Sequence, residues 1–260
     1  LPALAETEKE RQAAVKAGLP YEEKDPLGRE PGQALWPENE SAEEHQATKR
    51  NYPVTFNSLY QGVPRPDGGY MANEEMFKLL PALPERDCRW VWGTDWAITE
   101  KQSADYTVAA LVGLWTPGGN KEDARLVIGF VTRGQKDPHG ARELVKEAMT
   151  NHTKRVPMYS GQANIDKVHL IQMRKDADLL RYSMKNLTRK ELAGDKVTKA
   201  TPWLEMAIAG NVYVVQGGWN TEFFNEVEDF PYGKHDDQVD AVSVASHALG
   251  LAKREIKVHS

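Results

Sequence analysis

Cysteine is nearly absent: the single Cys88 can neither close an internal disulfide nor supply a multi-cysteine zinc site. Long apolar runs are missing too, none approaching the roughly 18 residues of a spanning helix, so no membrane partner is expected. The Gly-x4-Gly-Lys-Ser/Thr phosphate loop does not occur, which excludes a Walker-type ATP site within these residues. His-Glu-x-x-His and Gly-x-Ser-x-Gly are missing as well, and with them the signatures of zincins and serine hydrolases. Neither a basic leader nor a secretory apolar segment follows Leu1, and such a start reads as a segment of a longer polypeptide.

What is present is unevenly placed. Ten of the fifteen prolines precede residue 85, and that stretch holds 9 Lys and Arg against 14 Asp and Glu, whereas the remainder is balanced. Residues 1–85 therefore read as an acidic, Pro-rich arm, expected to drape over the following domain rather than build its own core. Within it a helix is expected over Thr7–Ala17, and Ser41 with Glu44 three residues on has the form of a capping box. Residues 86–260 read as one regular domain. Overall charge balance there leaves a nucleic-acid partner open, because binding needs a local basic stripe rather than a global excess.

Hydrophobic periodicity lays out that domain. Strands are expected at Arg89–Trp96, Tyr106–Trp115 and Arg125–Arg133, then a helix over Pro138–Asn151 with its proline in the tolerated first turn. A strand at Val156–Ser160, a helix at Asn164–Lys175 and a strand at Arg181–Met184 follow. A helix at Lys199–Ala209 stopped by Gly210, an extended Asn211–Val215, and helices at Thr221–Phe230 and Asp236–Leu251 complete the chain. Three strands in a meander followed by alternating helices and strands give an α/β fold with a mixed sheet.

The sharpest chemical signal is His235-Asp236-Asp237-Gln238-Val239-Asp240. On a helix Asp240 shares a face with Asp237 and Asp236, and like charges so spaced repel by roughly 0.2–0.5 kcal/mol per exposed pair. A hard divalent cation would offset that repulsion, while a helix-capping role suits one Asp at a helix start; spacing leaves both open. Asp95 ends the first strand, with Gly93 on the same face admitting a close backbone or ligand. Asp105 reads as a turn residue. Lys196, Thr198 and Lys199 precede or open a helix, where phosphates meet point charges and free N–H groups, or else they form a solvated loop. Arg174, Lys175, Arg181, Lys185, Arg189 and Lys190 add positive charge nearby, but spacing does not show whether they share a face.

Together these elements resemble the C-terminal nuclease domain of the large terminase subunit of tailed bacteriophages. The likeness rests on an acid ending the first strand, on Gly194-Asp195-Lys196-Val197-Thr198-Lys199-Ala200 before a helix, and on His235 to Ala241 at the last helix. The arm agrees, through Asp25-Pro26-Leu27-Gly28-Arg29-Glu30-Pro31-Gly32, Leu35-Trp36-Pro37-Glu38 and Ser58-Leu59-Tyr60-Gln61-Gly62-Val63-Pro64, which are similar to the segment joining that family's ATPase to its nuclease. The resemblance implies an RNase H-like mixed sheet flanked by helices, and an endonuclease that cuts concatemeric double-stranded viral DNA during packaging with two Mg²⁺ or Mn²⁺ ions. It implies Asp95, Asp237 and Asp240 as catalytic acids, with Asp236 as a further ligand, and Lys196, Thr198 and Lys199 as DNA contacts. Where the family carries a second acid this chain has Ser160 or Gly161; a natural variation, an inactivating substitution, or a site completed by Asp166 one turn later would each account for that departure. The implied partners are the portal protein, the small terminase subunit and an upstream ATPase domain, in the cytoplasm of an infected bacterium. The missing acid also motivates a second reading, a non-catalytic DNA-binding or portal-docking module; a resolvase or transposase of the same fold is a third, opposed by the arm.

Overall fold

Val108, Ala110 and Val112 are buried on one face of their strand, and Ala109 and Leu111 on the other. Thr107–Trp115 is therefore continuously apolar because both faces of its sheet are covered. This computed structural model describes residues 1–8, 11, 24–51, 56, 59–61, 72–97, 106–120, 123–152, 155–161 and 163–251. The expected turn at Asp105 and most of the expected helix at Thr7–Ala17 lie outside the described residues. The chain divides into two compact units, Leu1–Gly69 and Tyr70–Ser260. The division expected at residue 85 therefore moves upstream, because a strand at Phe77–Leu80 belongs to the second unit's sheet.

The first unit packs on itself, contrary to an arm without a core. Leu4 and Ala34 form an isolated antiparallel bridge, and the Gln61 side chain bonds both backbone groups of Leu4. Phe56 is fully buried, stacked on Tyr60 and met edge-on by His45. Arg11 and Arg29 share Asp25, whose carboxyl, despite burial, is drawn down to about 2 mainly by the Arg29 hydrogen bond. Helix α1 (Ala42–Asn51) opens with the expected capping box: Ser41 N–H donates to Glu44, and Glu44 N–H donates to the Ser41 hydroxyl.

The second unit is built on a seven-stranded mixed sheet flanked by helices. Its strands are β1 (Phe77–Leu80), β2 (Cys88–Asp95), β3 (Thr107–Trp115), β4 (Arg125–Gly134), β5 (Met158–Ser160), β6 (Met184–Asn186) and β7 (Val212–Val215), in spatial order β1-β7-β4-β3-β2-β5-β6. The β2-β3-β4 meander is antiparallel; β5 and β6 extend it in parallel on one side and β7 and β1 on the other. Helices α4 (Lys196–Ile208), α5 (Asn220–Asp229) and α6 (Asp237–Ala248) pack residues such as Trp203, Phe223 and Val242 into one core. Helices α2 (Pro138–Asn151) and α3 (Asn164–Met173) pack Val145, Met149 and Leu170 into a second, with Trp90 and Trp92.

Two of the element boundaries that shift do so for a local reason. The strand expected at Arg181–Met184 starts only at Met184, because Ala177–Leu179 is a 3-10 turn that Tyr182 closes by donating to the Leu179 carbonyl. Helix α4 starts at Lys196, three residues before the expected Lys199, with Asp195 as its N-cap accepting from Thr198 N–H at 2.8 Å. No helix among the described residues is long and apolar enough to cross a membrane.

Candidate active site

Three chain segments meet at one end of the sheet. Asp95 ends β2, Ser160 ends the parallel β5 opposite Thr94, and α6 starts at Asp237. Gly93 explains how the helix reaches the strand. A Cβ there would fall 2.2 Å from the Ala241 carbonyl oxygen and 2.8 Å from the Ala245 methyl, so only a bare glycine lets α6 lie directly on β2. Gly93 and Asp95 project from the same face, which sets the first turn of α6 over Asp95.

The electrostatics report the convergence. Burial pushes the Asp95 carboxyl well above the usual carboxylate range, and Asp240, Asp237, Asp166 and Asp236 push the same way. Burial, reinforced by Asp236, raises Asp240 to about 6 against the opposing pull of Lys199 and Lys196. One Asp240 oxygen, Oδ1, is buried with no hydrogen-bond partner. Asp237 is buried, with an oxygen 3.6 Å from the His235 ring. Asp236 is more exposed than Asp237 and pairs with Lys196 at 2.8 Å, so its charge is already partly offset.

Asp166 arrives from the first turn of α3. Ala163 N–H donates to its Oδ2 at 2.6 Å and the Ser160 hydroxyl to its Oδ1 at 3.1 Å. A Cβ on Gly161 would lie 2.9 Å from that Oδ2. The acid sought at Ser160 or Gly161 is thus absent from the strand, while a carboxylate from the next helix stands over it. Lys199 lies close enough to lower both Asp166 and Asp240. Thr198, expected on phosphate, is engaged with Asp195 in capping α4.

The family model of the terminase RNaseH-like domain matches residues 92–249. The chain belongs to this terminase family. No curated protein matches its sequence. Among solved structures, the large terminase nuclease of thermophilic phage G20c is 15% identical, with a TM-score of 0.44, over 66% of this chain and 94% of that one. A zinc-bound structure of the same nuclease is 16% identical at the same TM-score and coverage. The large terminase nuclease domain of Thermus phage P74-26 is 15% identical, with a TM-score of 0.44, over 69% of this chain and 94% of that one.

In this terminase domain the acids supply only hard carboxylate oxygens, the donor type that suits Mg²⁺ and Mn²⁺. The chemistry of the donors and the unpartnered Asp240 oxygen fit such ions. The spacing is looser: among the described residues, no three carboxylate, imidazole or thiol groups are gathered at metal-holding distance.

Three contributors were not visible in the sequence. Glu226 on α5 is buried and accepts from Gln238 N–H at 2.6 Å, Val239 N–H at 3.3 Å and the Gln238 amide at 2.7 Å. It caps α6 from a neighbouring helix, a role Asp236, the N-cap, does not perform. Arg133 pairs with Glu226 and lies over the Tyr106 ring. Trp96 donates from its indole to Ser160. Only the lone acid between Phe224 and Val227, on the buried side of α5, hints at Glu226 in the sequence.

Proposed function

We propose that this chain is the metal-dependent endonuclease of a DNA-packaging motor, hydrolysing phosphodiesters of concatemeric double-stranded viral DNA. One observation carries the reading: aspartates from β2, α3 and α6 meet at the sheet end, each with a carboxyl raised by burial or crowded by the others. Asp95, Asp237 and Asp240 would be the principal ligands, with Asp166 as the second acid and Asp236 at the margin. Two Mg²⁺ or Mn²⁺ ions, when bound, would polarise the scissile phosphate and supply a more acidic attacking water. The chain itself holds the carboxylates: Gly93 seats α6, Glu226 caps it, and Lys196 and Lys199 bring positive charge to the rim. Those lysines would meet the phosphate backbone without reading bases, so cutting would be weakly sequence-specific and salt-sensitive. An upstream ATPase domain, the portal protein and the small terminase subunit would be its partners in the cytoplasm of the infected host. Residues 1–69 would serve as the link to that motor.

Plasmid nicking in Mg²⁺ or Mn²⁺ tests this directly. Asp95→Asn is expected to reduce the rate at least a thousandfold with folding intact; unchanged nicking refutes the assignment. The loose spacing of the acids favours a second reading, a DNA-binding or portal-docking module without catalysis. DNA binding without cleavage across a broad titration of both ions would select it.

A further inference from the structure

Asp166 has two hydrogen-bonding relations, and only one belongs to helix capping. Ala163 N–H on Oδ2 is the ordinary reach of an acid in the first turn to the backbone just before its helix. Oδ1 is held differently. The Ser160 hydroxyl donates to it at 3.1 Å, and the Trp96 indole N–H donates to Ser160 Oγ at 3.0 Å. A hydroxyl has one proton; with Trp96 taking a lone pair, that proton is aimed at Asp166. The Trp96 ring stacks on His169, one turn along the helix that carries Asp166, with centroids 4.2 Å apart and planes 4° from parallel. Ser160, Trp96, Asp166 and His169 are all buried.

The register says what this achieves. Thr94 and Ser160 are the last partners of β2 and β5, so the two strands leave their ladder at Asp95 and at Gly161, and Asp166 lies close enough to Asp95 to raise its carboxyl. The Asp166 carboxylate lies 2.9 Å from where a Gly161 Cβ would be, in the space a side chain of residue 161 would enter. Strand β5 gives up its side chain and α3 supplies the carboxylate. We infer that Ser160 and Trp96 are positioning residues that hold the Asp166 carboxylate over Gly161, completing the acid cluster beside Asp95. This rests on the metal-site reading above and extends it to two residues that touch neither ion nor substrate.

The test is a Mn²⁺ titration by calorimetry, with melting temperature and plasmid nicking measured alongside. Ser160→Ala is expected to weaken Mn²⁺ binding about 10–100-fold, the usual loss when a ligand's hydrogen-bond partner is removed, with the melting temperature changed by only a few degrees. Moving the carboxylate with Gly161→Asp and Asp166→Ala should keep binding within about tenfold of the natural chain, and in that background Ser160→Ala should cost less than about twofold. Ser160→Ala binding Mn²⁺ like the natural chain overturns the inference, as does an equal loss in both backgrounds. A natural chain that neither binds Mn²⁺ nor cuts overturns the metal-site reading itself; one that does both while ignoring Ser160→Ala overturns only the relay.

Discussion

At the level of single residues, the acids at the sheet end oppose folding. Asp240 titrates at about 6 in the folded chain against an ordinary 3.8, because burial and Asp236 disfavour its charge. Such a group binds its proton more tightly when folded, so its contribution is complete below the unfolded value and is lost as pH rises through the folded one. Asp95, Asp166 and Glu226 are raised by burial as well and act in the same direction. In EDTA the melting temperature should therefore fall as pH rises from about 4 to about 6. Asp240→Asn should remove on the order of 2 kcal/mol of that loss. Melting curves across this range check it, and a variant whose pH dependence matches the natural chain contradicts it. Repulsion of this kind is what a bound dication relieves, so Mn²⁺ at neutral pH should restore the stability that EDTA exposes.

At the scale of elements, Gly93 is the contact on which the site's assembly depends. Its Cα faces the Ala241 carbonyl and Ala245 of α6, and no side chain fits between them. Gly93→Ala must push helix and strand apart, with an expected cost of about 1–3 kcal/mol and a larger proportional loss of nicking, because Asp237 and Asp240 move with the helix. Denaturant unfolding and nicking rates measured on the same preparation check this; wild-type values in both contradict it. Most elements were legible in the sequence because their signals are local: Pro138 at a helix start, the capping box at Ser41 and Glu44, and the unbroken apolar run of β3. Strand β1 was not. Phe77–Leu80 is short, has one buried residue, and pairs with β7 more than 130 residues later, a relation no window of sequence contains. The β6 boundary slipped because Leu179 to Tyr182 is apolar enough to pass for a strand while its backbone closes a turn.

At the scale of the whole molecule, a terminase RNaseH-like domain follows a unit that packs on itself. Acidic composition and proline content set that first unit apart but did not show its core, since the pairing of Leu4 with Ala34 and Gln61 joins segments each too polar or too short to look buried. The site is likewise a long-range product. The sequence offered Asp95, Asp166 and the 236–240 cluster as separate candidates, and the parallel pairing of β2 with β5 together with the seating of α6 brings them to one end. Glu226, Trp96 and the hydroxyl of Ser160 stayed hidden because their roles lie in contacts across the fold.

Diffraction from crystals soaked in Mn²⁺ shows whether these aspartates hold divalent ions. Anomalous peaks should lie between Asp95 and Asp240, with carboxylate oxygens of Asp237 or Asp166 completing their coordination. A well-ordered site without such peaks, or Mn²⁺ bound only elsewhere on the surface, contradicts it.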